Sequence, residues 1–313
     1  MTSNLRLGLT GHPLGHSLSP KIHAAALAAC GLTGNYSLFP IHPDDKPGLA
    51  DLLARVRSGE IHGLNVTIPH KQNVIPLLDG LTETAKAIGA VNTISMRSGQ
   101  LIGDNTDAPG FLADLHNFLA LTPTHLPGGE GQETSDSALP PGDGQETSDS
   151  PLPPGEGPGV REALILGAGG SARAVVYALL HDSWNVTLAA RRLEQAEQLA
   201  QTFSHPALRT IDFFHLSSFI LHPSKFILIV NTTPLGMTPN LDTTPWELPF
   251  PENAAIYDLV YNPRETRLVR EARAAGLPAT TGLGMLIEQA ALAFEIWTGC
   301  QPPRDVLWQA VEN

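Results

Sequence analysis

Apolar residues along this chain follow two spacings. Residues 5–11 (LRLGLTG) alternate apolar and polar, the period of a half-buried strand. Residues 19–30 read as a helix, with Ser19 as the expected N-cap, Pro20 in the first turn and Gly31 just past the end. Residues 35–41 read as a second strand, 44–57 as a helix and 64–68 as a third strand. In that third strand Val66 and Ile68 are expected to face the core, and Asn65 and Thr67 the opposite side. Residues 91–96 and 100–102 flank Arg97-Ser98-Gly99, a hairpin signal. Residues 107–120 then form an amphipathic pattern, with Phe111, Leu112, Leu115 and Leu119 on one face.

A second series starts at "EALILGAGG", a strand, a tight turn and a helix. "NVTLAA", "FILIVN" and "AIYDLVY" are further apolar runs with helical segments between them. Short apolar runs alternating with helices predict a parallel sheet covered on both faces. The expected class is therefore α/β, with two α/β domains and a cleft between them. The last helical segments, 285–297 and 304–311, have no strand after them and are expected to return to the first domain.

Between the two series the pattern stops. "GQETSDS" occurs at 131–137 and again at 144–150, and "LPPG" at 139–142 and 152–155. A short repeat of Gly, Pro, Ser and acids buries no core, so 121–159 reads as a disordered insertion. It also distorts the charge. The whole chain carries −12, but seven acids and no Lys or Arg lie in the insertion, leaving 24 acidic against 19 basic residues elsewhere. A mildly acidic remainder without a basic stripe predicts no nucleic-acid partner. No run of eighteen apolar residues occurs, and "MTSNLRLGLTG" is not a signal-peptide pattern, so a cytoplasmic protein without a membrane partner is expected. The two cysteines, Cys30 and Cys300, form no CxxC pair, which predicts a reducing compartment and no disulfide framework. No His or Cys spacing points to a metal; His16 and His70 fall near the motifs below but are assigned no chemistry.

Gly167-Ala168-Gly169-Gly170-Ser171-Ala172 follows a strand and opens a helix, the G-x-G-x-x-A pattern in the context it needs. The first glycine makes the turn, the second lets backbone approach a pyrophosphate, and the small sixth residue lets helix meet strand. Free N–H groups at the helix start then face phosphate. Where an NAD site carries an acid, at the end of the next strand, this chain has Ala190-Arg191-Arg192. Two guanidiniums suit a 2′-phosphate, so the expected cofactor is NADP.

Polar groups also collect at the strand ends of the first series. Ser17 and Ser19 stand at the entry of the first helix, where two hydroxyls and free amides suit a carboxylate; plain capping explains only one of them. Lys71 follows the third strand, Asn92 opens the next, and Asp107 begins a helix after "GDNTD". A lysine beside a carboxylate can hold and pass a proton.

"GHPLGHSLSP", "NVTIPHK", "GAVNT", "GDNTD", "GAGGSAR", "YDLVYNP" and "GLGMLIEQA" together resemble shikimate dehydrogenases, in that family's order and over nearly the whole chain outside the insertion. The resemblance implies a substrate-binding domain of residues 1–106 plus 282–313 and a Rossmann-like NADP domain of 107–281. It implies reversible reduction of 3-dehydroshikimate to shikimate by NADPH, in chorismate and aromatic amino-acid biosynthesis. It assigns Ser17 and Ser19 to the substrate carboxylate, Thr67, Asn92, Tyr261 and Gln289 to substrate binding, and Lys71 with Asp107 to catalysis. Asp107 would also meet a ring hydroxyl. Gly167, Ala168, Gly169, Gly170, Ser171, Ala172, Arg191 and Arg192 would bind the cofactor. The expected partner is a small-molecule substrate, and the expected assembly a monomer or homodimer.

Two departures stand out. The family's N-R-T reads Ala190-Arg191-Arg192, and a further arginine is replaced by Gln195. The insertion lies outside the family pattern. Competing readings are a quinate/shikimate dehydrogenase using NAD and a non-catalytic NADP sensor of the same fold. The Ser-x-Ser pair and the two arginines favour shikimate and NADP, and retention of both Lys71 and Asp107 disfavours a sensor.

Overall fold

Two six-stranded sheets, each faced by helices, organise the chain. The computed structural model describes residues 4–122, 161–216 and 226–312. The expected insertion at 121–159 thus lies, from residue 123 on, outside the described residues.

The first sheet uses β1 (Leu5–Gly11), β2 (Gly34–Pro40), β3 (Gly63–Val66), β4 (Gly80–Leu81), β5 (Thr93–Arg97) and β6 (Gln100–Asp104). Their order is β2-β1-β3-β5-β6-β4. β1 runs parallel to β2 and β3, while β5 pairs antiparallel with β3 and β6. The β5–β6 turn uses Ser98 and Gly99, both with positive φ (52° and 79°), the turn conformation that suits a two-residue hairpin.

Helices α1 (Ser19–Ala29), α2 (Lys46–Arg57) and α3 (Glu83–Ile88) lie among these strands. Asp45 caps α2, accepting the Gly48 N–H at 2.9 Å, and Arg55 and Arg57 in the last turn suit the negative helix end. On one face of the sheet, Leu64, Val66, Ile94 and Leu101 pack with Leu52, Leu53 and Val56 of α2. Each such buried side chain contributes roughly 1.5–3 kcal/mol.

The second sheet is parallel throughout. Its strands are β7 (Glu162–Leu166), β8 (Asn185–Ala190), β9 (Leu208–Asp212), β10 (Leu228–Asn231), β11 (Ala255–Asp258) and β12 (Ala279–Thr281), in the order β12-β11-β10-β7-β8-β9. The order reverses between β7 and β10, and such a switch point leaves a crevice at the carboxyl ends of the strands. Alternation along β7 sends Ala163 and Ile165 to one core and Leu164 and Leu166 to the other.

Helices α4 (Asp107–Ala120) and α5 (Gly170–His181) cover the first of these faces, while α6 (Leu193–Phe203) follows β8. Phe111 and Leu115 of α4 are buried there, with Leu112 and Leu119 packed beside them, as the apolar spacing predicts. α7 (Arg267–Ala274) packs Leu268, Val269 and Ala272 on the opposite face.

The chain then crosses back. In α8 (Leu283–Thr298) and α9 (Arg304–Glu312), Ile287, Phe294, Leu307 and Val311 bury against Leu7, Ile22 and Leu27 of the first sheet's layer. The expected return of the last helices is therefore observed. No helix among the described residues is long and apolar enough to cross a membrane.

Three expectations need correction. Cys30 and Cys300 form a disulfide, bridging the residues that follow α1 and α8. They are 270 residues apart in sequence, so only the return of α8 brings them together. Ile68 is 58% exposed rather than in the core, because β3 ends at Val66 and the chain turns outward along the crevice. Ser19 is not the N-cap of α1. Leu18 holds that position, and the Ser17 hydroxyl accepts the Ser19 N–H at 3.3 Å.

Candidate active site

A cavity of about 380 Å³ lies between the two sheets. All eight residues expected at a substrate site line it: Ser17, Ser19, Thr67, Lys71, Asn92, Asp107, Tyr261 and Gln289. They come from six separate stretches of chain, and the fold alone gathers them.

At its floor Lys71 Nζ donates to Asp107 Oδ2 at 2.6 Å. The two side chains are only 10% and 7% exposed. A buried ion pair persists when its remaining polar atoms are satisfied. Asp107 Oδ1 accepts from Asn92 Nδ2 at 2.8 Å, and the Asp107 N–H is taken by Asn105 Oδ1 at 3.0 Å. The carboxylate also stands in the first turn of α4, where the helix dipole favours negative charge. Asn92 is held in turn: its Oδ1 accepts the Thr106 N–H at 2.8 Å. Its Nδ2 reaches Gln289 Oε1 at 3.3 Å, linking the first sheet to α8.

Around this pair sit hydroxyl and amide groups. Burial raises the Tyr261 pKa, so the phenol stays neutral and can donate. Asn65, which the sequence reading left off the site, lines the cavity as well. Its Oδ1 accepts from the Tyr36 hydroxyl at 2.8 Å and its Nδ2 donates to the Asn92 carbonyl at 3.1 Å. Its alternation with Val66 in β3 was the available signal. Met237 and Met285 also line the cavity, as does His16, but His70 does not; its Nε2 pairs with the Ile41 carbonyl at 2.8 Å.

The glycine turn meets this cavity from the other sheet. Gly167 has φ +106°, and a Cβ there would lie 2.8 Å from Thr232 Oγ1, so glycine is required. A Cβ on Gly169 would meet nothing within 4 Å, leaving the backbone open to a close ligand. No side chain caps α5 at Gly169, so its first N–H groups face that space. Ala172 is fully buried where helix meets strand. Of the turn only Ser171 lines the cavity itself; Gly167, Ala168, Gly169, Gly170 and Ala172 lie beside it.

Arg191 and Arg192 follow β8 directly and are exposed, and their guanidiniums have no hydrogen-bonding partner among the described residues. The Gly167 N–H bonds the Ala189 carbonyl at 2.8 Å, so the two arginines flank the glycine turn. The open backbone, uncapped helix start and free guanidiniums fit a dinucleotide with a 2′-phosphate. No group of three or more His, Cys, Asp or Glu able to hold a metal occurs among the described residues.

Family models match at both ends of the chain. The shikimate dehydrogenase substrate binding domain matches residues 9–94, and the shikimate 5′-dehydrogenase C-terminal domain matches 282–312. A shikimate dehydrogenase (NADP(+)) of Salinibacter ruber is 40% identical, covering 97% of this chain and 95% of its own. The chain belongs to the shikimate dehydrogenase family.

Solved structures share the fold. Shikimate 5-dehydrogenase of Thermus thermophilus, in complex with NADP(H) and shikimate, is 35% identical with a TM-score of 0.75, covering 98% of each chain. Quinate dehydrogenase of Corynebacterium glutamicum, in complex with NAD, is 28% identical with a TM-score of 0.77 and covers 98% of each chain. The resemblance read from the seven motifs is thereby borne out at the level of the family.

Proposed function

We propose that this chain is an NADP-dependent shikimate dehydrogenase, reducing 3-dehydroshikimate to shikimate reversibly in aromatic amino-acid biosynthesis. The observation that carries the reading is the 2.6 Å contact between Lys71 and Asp107 at the floor of one cavity shared by both sheets. Family membership and NADP-dependent relatives of 33–40% identity support it.

Gly167, Ala168, Gly169, Gly170, Ser171 and Ala172 would hold NADPH, with Arg191 and Arg192 on its 2′-phosphate, and the bound cofactor would supply the hydride. Ser17 and Ser19 hold the substrate carboxylate. Thr67, Asn92, Tyr261 and Gln289 orient the ring through its hydroxyls, excluding alternative poses. The Lys71 ammonium faces the carbonyl oxygen that gains charge during reduction, stabilises it and donates its proton. In the oxidative direction the neutral amine takes that proton back. Asp107 fixes the ammonium and accepts from the neighbouring hydroxyl.

The substrate domain comprises residues 1–106 plus 282–313 and the cofactor domain 107–281. The packing of α8 and α9 on the first sheet supports that division. We assign the enzyme to the cytoplasm, acting on a small-molecule substrate as a monomer or homodimer. The test is absorbance at the NADPH wavelength with shikimate plus NADP⁺, then with quinate plus NAD⁺. Turnover with the first pair is expected. Turnover only with the second replaces shikimate by quinate as the substrate, and none with either replaces the enzyme by a sensor.

A further inference from the structure

The cavity takes one wall from α8, a helix whose own start carries no cap: Gly282 stands at its N-cap position and has no side chain to offer. A residue of another helix packs against that start. The Asp114 carboxylate, on α4, accepts the Tyr257 hydroxyl and lies against the first turn of α8. It lies so close to that turn that a Cβ on Gly284 would collide with it. One turn back along α4, Gly110 meets α8 again. A Cβ on Gly110 would sit 2.7 Å from the Gln289 backbone nitrogen.

These contacts run in opposite directions along the two helices. Asp107, Gly110 and Asp114 share one face of α4, at spacings of three and four residues. Met285 and Gln289 share one face of α8. Asp114 meets the start of that face and Gly110 meets its next turn, with Asp107 beyond at the cavity. A slip of one turn would carry Gln289 about 5.4 Å along the axis. That would take its amide out of reach of Asn92, which it now meets at 3.3 Å.

We propose that Asp114 and Gly110 are positioning residues that set the register of α8 on α4 and thereby hold the Gln289 amide at the substrate. Neither lines the cavity. The inference rests on the reading of Gln289 as a substrate ligand.

The experiment is steady-state kinetics on the full-length enzyme, with KM for shikimate, KM for NADP⁺ and kcat measured separately. Gln289→Ala is expected to raise KM for shikimate about tenfold, the loss of one hydrogen bond to a polar ligand. Asp114→Ala is expected to raise it by about the same factor, with KM for NADP⁺ within about twofold. Asp114→Asn keeps an oxygen to accept the Tyr257 hydroxyl and is expected to stay within about threefold of the parent enzyme. The double variant Asp114→Ala/Gln289→Ala is expected to be no worse than Gln289→Ala alone, because both remove one interaction. A multiplicative double variant, or an Asp114→Ala enzyme that melts earlier with unchanged KM for shikimate, overturns the inference. If Gln289→Ala leaves KM unchanged, the site assignment and the inference fall together. If it raises KM while Asp114→Ala does not, the inference alone falls. Should Asp114→Ala not fold, Gly110→Ala decides: it pushes on the Gln289 backbone with Asp114 intact, and an unchanged KM for shikimate overturns the register.

Discussion

Gly170, the first residue of α5, lies against the aliphatic stem of Lys71: a methyl group on that glycine would sit 3.6 Å from Lys71 Cδ. The helix whose start is proposed to face the cofactor phosphates therefore runs close to the side chain proposed to move the substrate proton. Both sheets meet at this lysine.

Lys71→Ala is expected to lower kcat by about a thousandfold, the usual scale for a lost general acid plus part of its charge stabilisation. KM for shikimate should change only a few-fold, since the ring and carboxylate ligands remain. The truncation also strands the Asp107 carboxylate, so kcat must be read at a temperature where circular dichroism shows the variant folded. A modest fall in kcat with a large rise in KM would remove the proton-transfer role.

Arg191 and Arg192 make a separate prediction about cofactor choice. Replacing both by alanine should raise KM for NADP⁺ about tenfold or more and leave KM for NAD⁺ within about twofold, because only the 2′-phosphate is lost as a partner. Equal effects on both cofactors would mean that the arginines stabilise the turn rather than read the phosphate.

Two buried groups set opposing pH dependences. Burial lowers the pKa of His23 to about 3, with the nearby Asn65 side chain opposing. The unfolded chain then binds more protons than the folded one between about 3 and 6.5, so stability falls as pH drops through that window. Burial raises Asp258 to about 6, although Thr266, Val260 and Asn231 all donate to it. Here the folded chain binds more protons between about 3.8 and 6, so stability falls as pH rises through that window. Each contributes a slope of at most about 1.4 kcal/mol per pH unit, and between about 3.8 and 6 they cancel in part. Urea titrations should therefore show a shallow region near pH 5 and a steeper loss below pH 4. His23→Leu should flatten the acid limb; an unchanged limb would assign it to other groups.

The Cys30–Cys300 bond closes a loop across 270 residues of sequence. A cross-link of that kind contributes roughly 2–5 kcal/mol, mainly by restricting the unfolded chain. Reductant should lower the melting temperature, and Cys30→Ser with Cys300→Ser should melt like the reduced protein and ignore reductant. Neither cysteine lines the cavity, so kcat should be unchanged. Equal melting with and without reductant would show the bond to be energetically idle.

Much of this was legible in the residues, for identifiable reasons. The strand, turn and helix around Gly167 carry a local signature, because tight turns and close packing restrict residue type. Lys71 and Asp107 could be singled out as chemistry standing at strand and helix ends, but only the fold puts them 2.6 Å apart. What escaped was non-local or short. β4 and β12 are two and three residues long and show no periodicity. β9 is an edge strand of half-buried and exposed residues, so its alternation is weak. The disulfide depends on a helix returning across the whole chain. The serine pair was legible as hydroxyls at the start of α1, but not that Leu18 takes the N-cap position while the Ser17 hydroxyl accepts the Ser19 N–H.

The return of α8 and α9 also has a consequence for synthesis. Leu7, Ile22 and Leu27 emerge from the ribosome early, yet their burying partners are Ile287, Phe294 and Leu307. The amino-terminal layer must therefore wait, partly unsheltered, until the last helices are released. A nascent chain of this architecture finishes its first-made layer last.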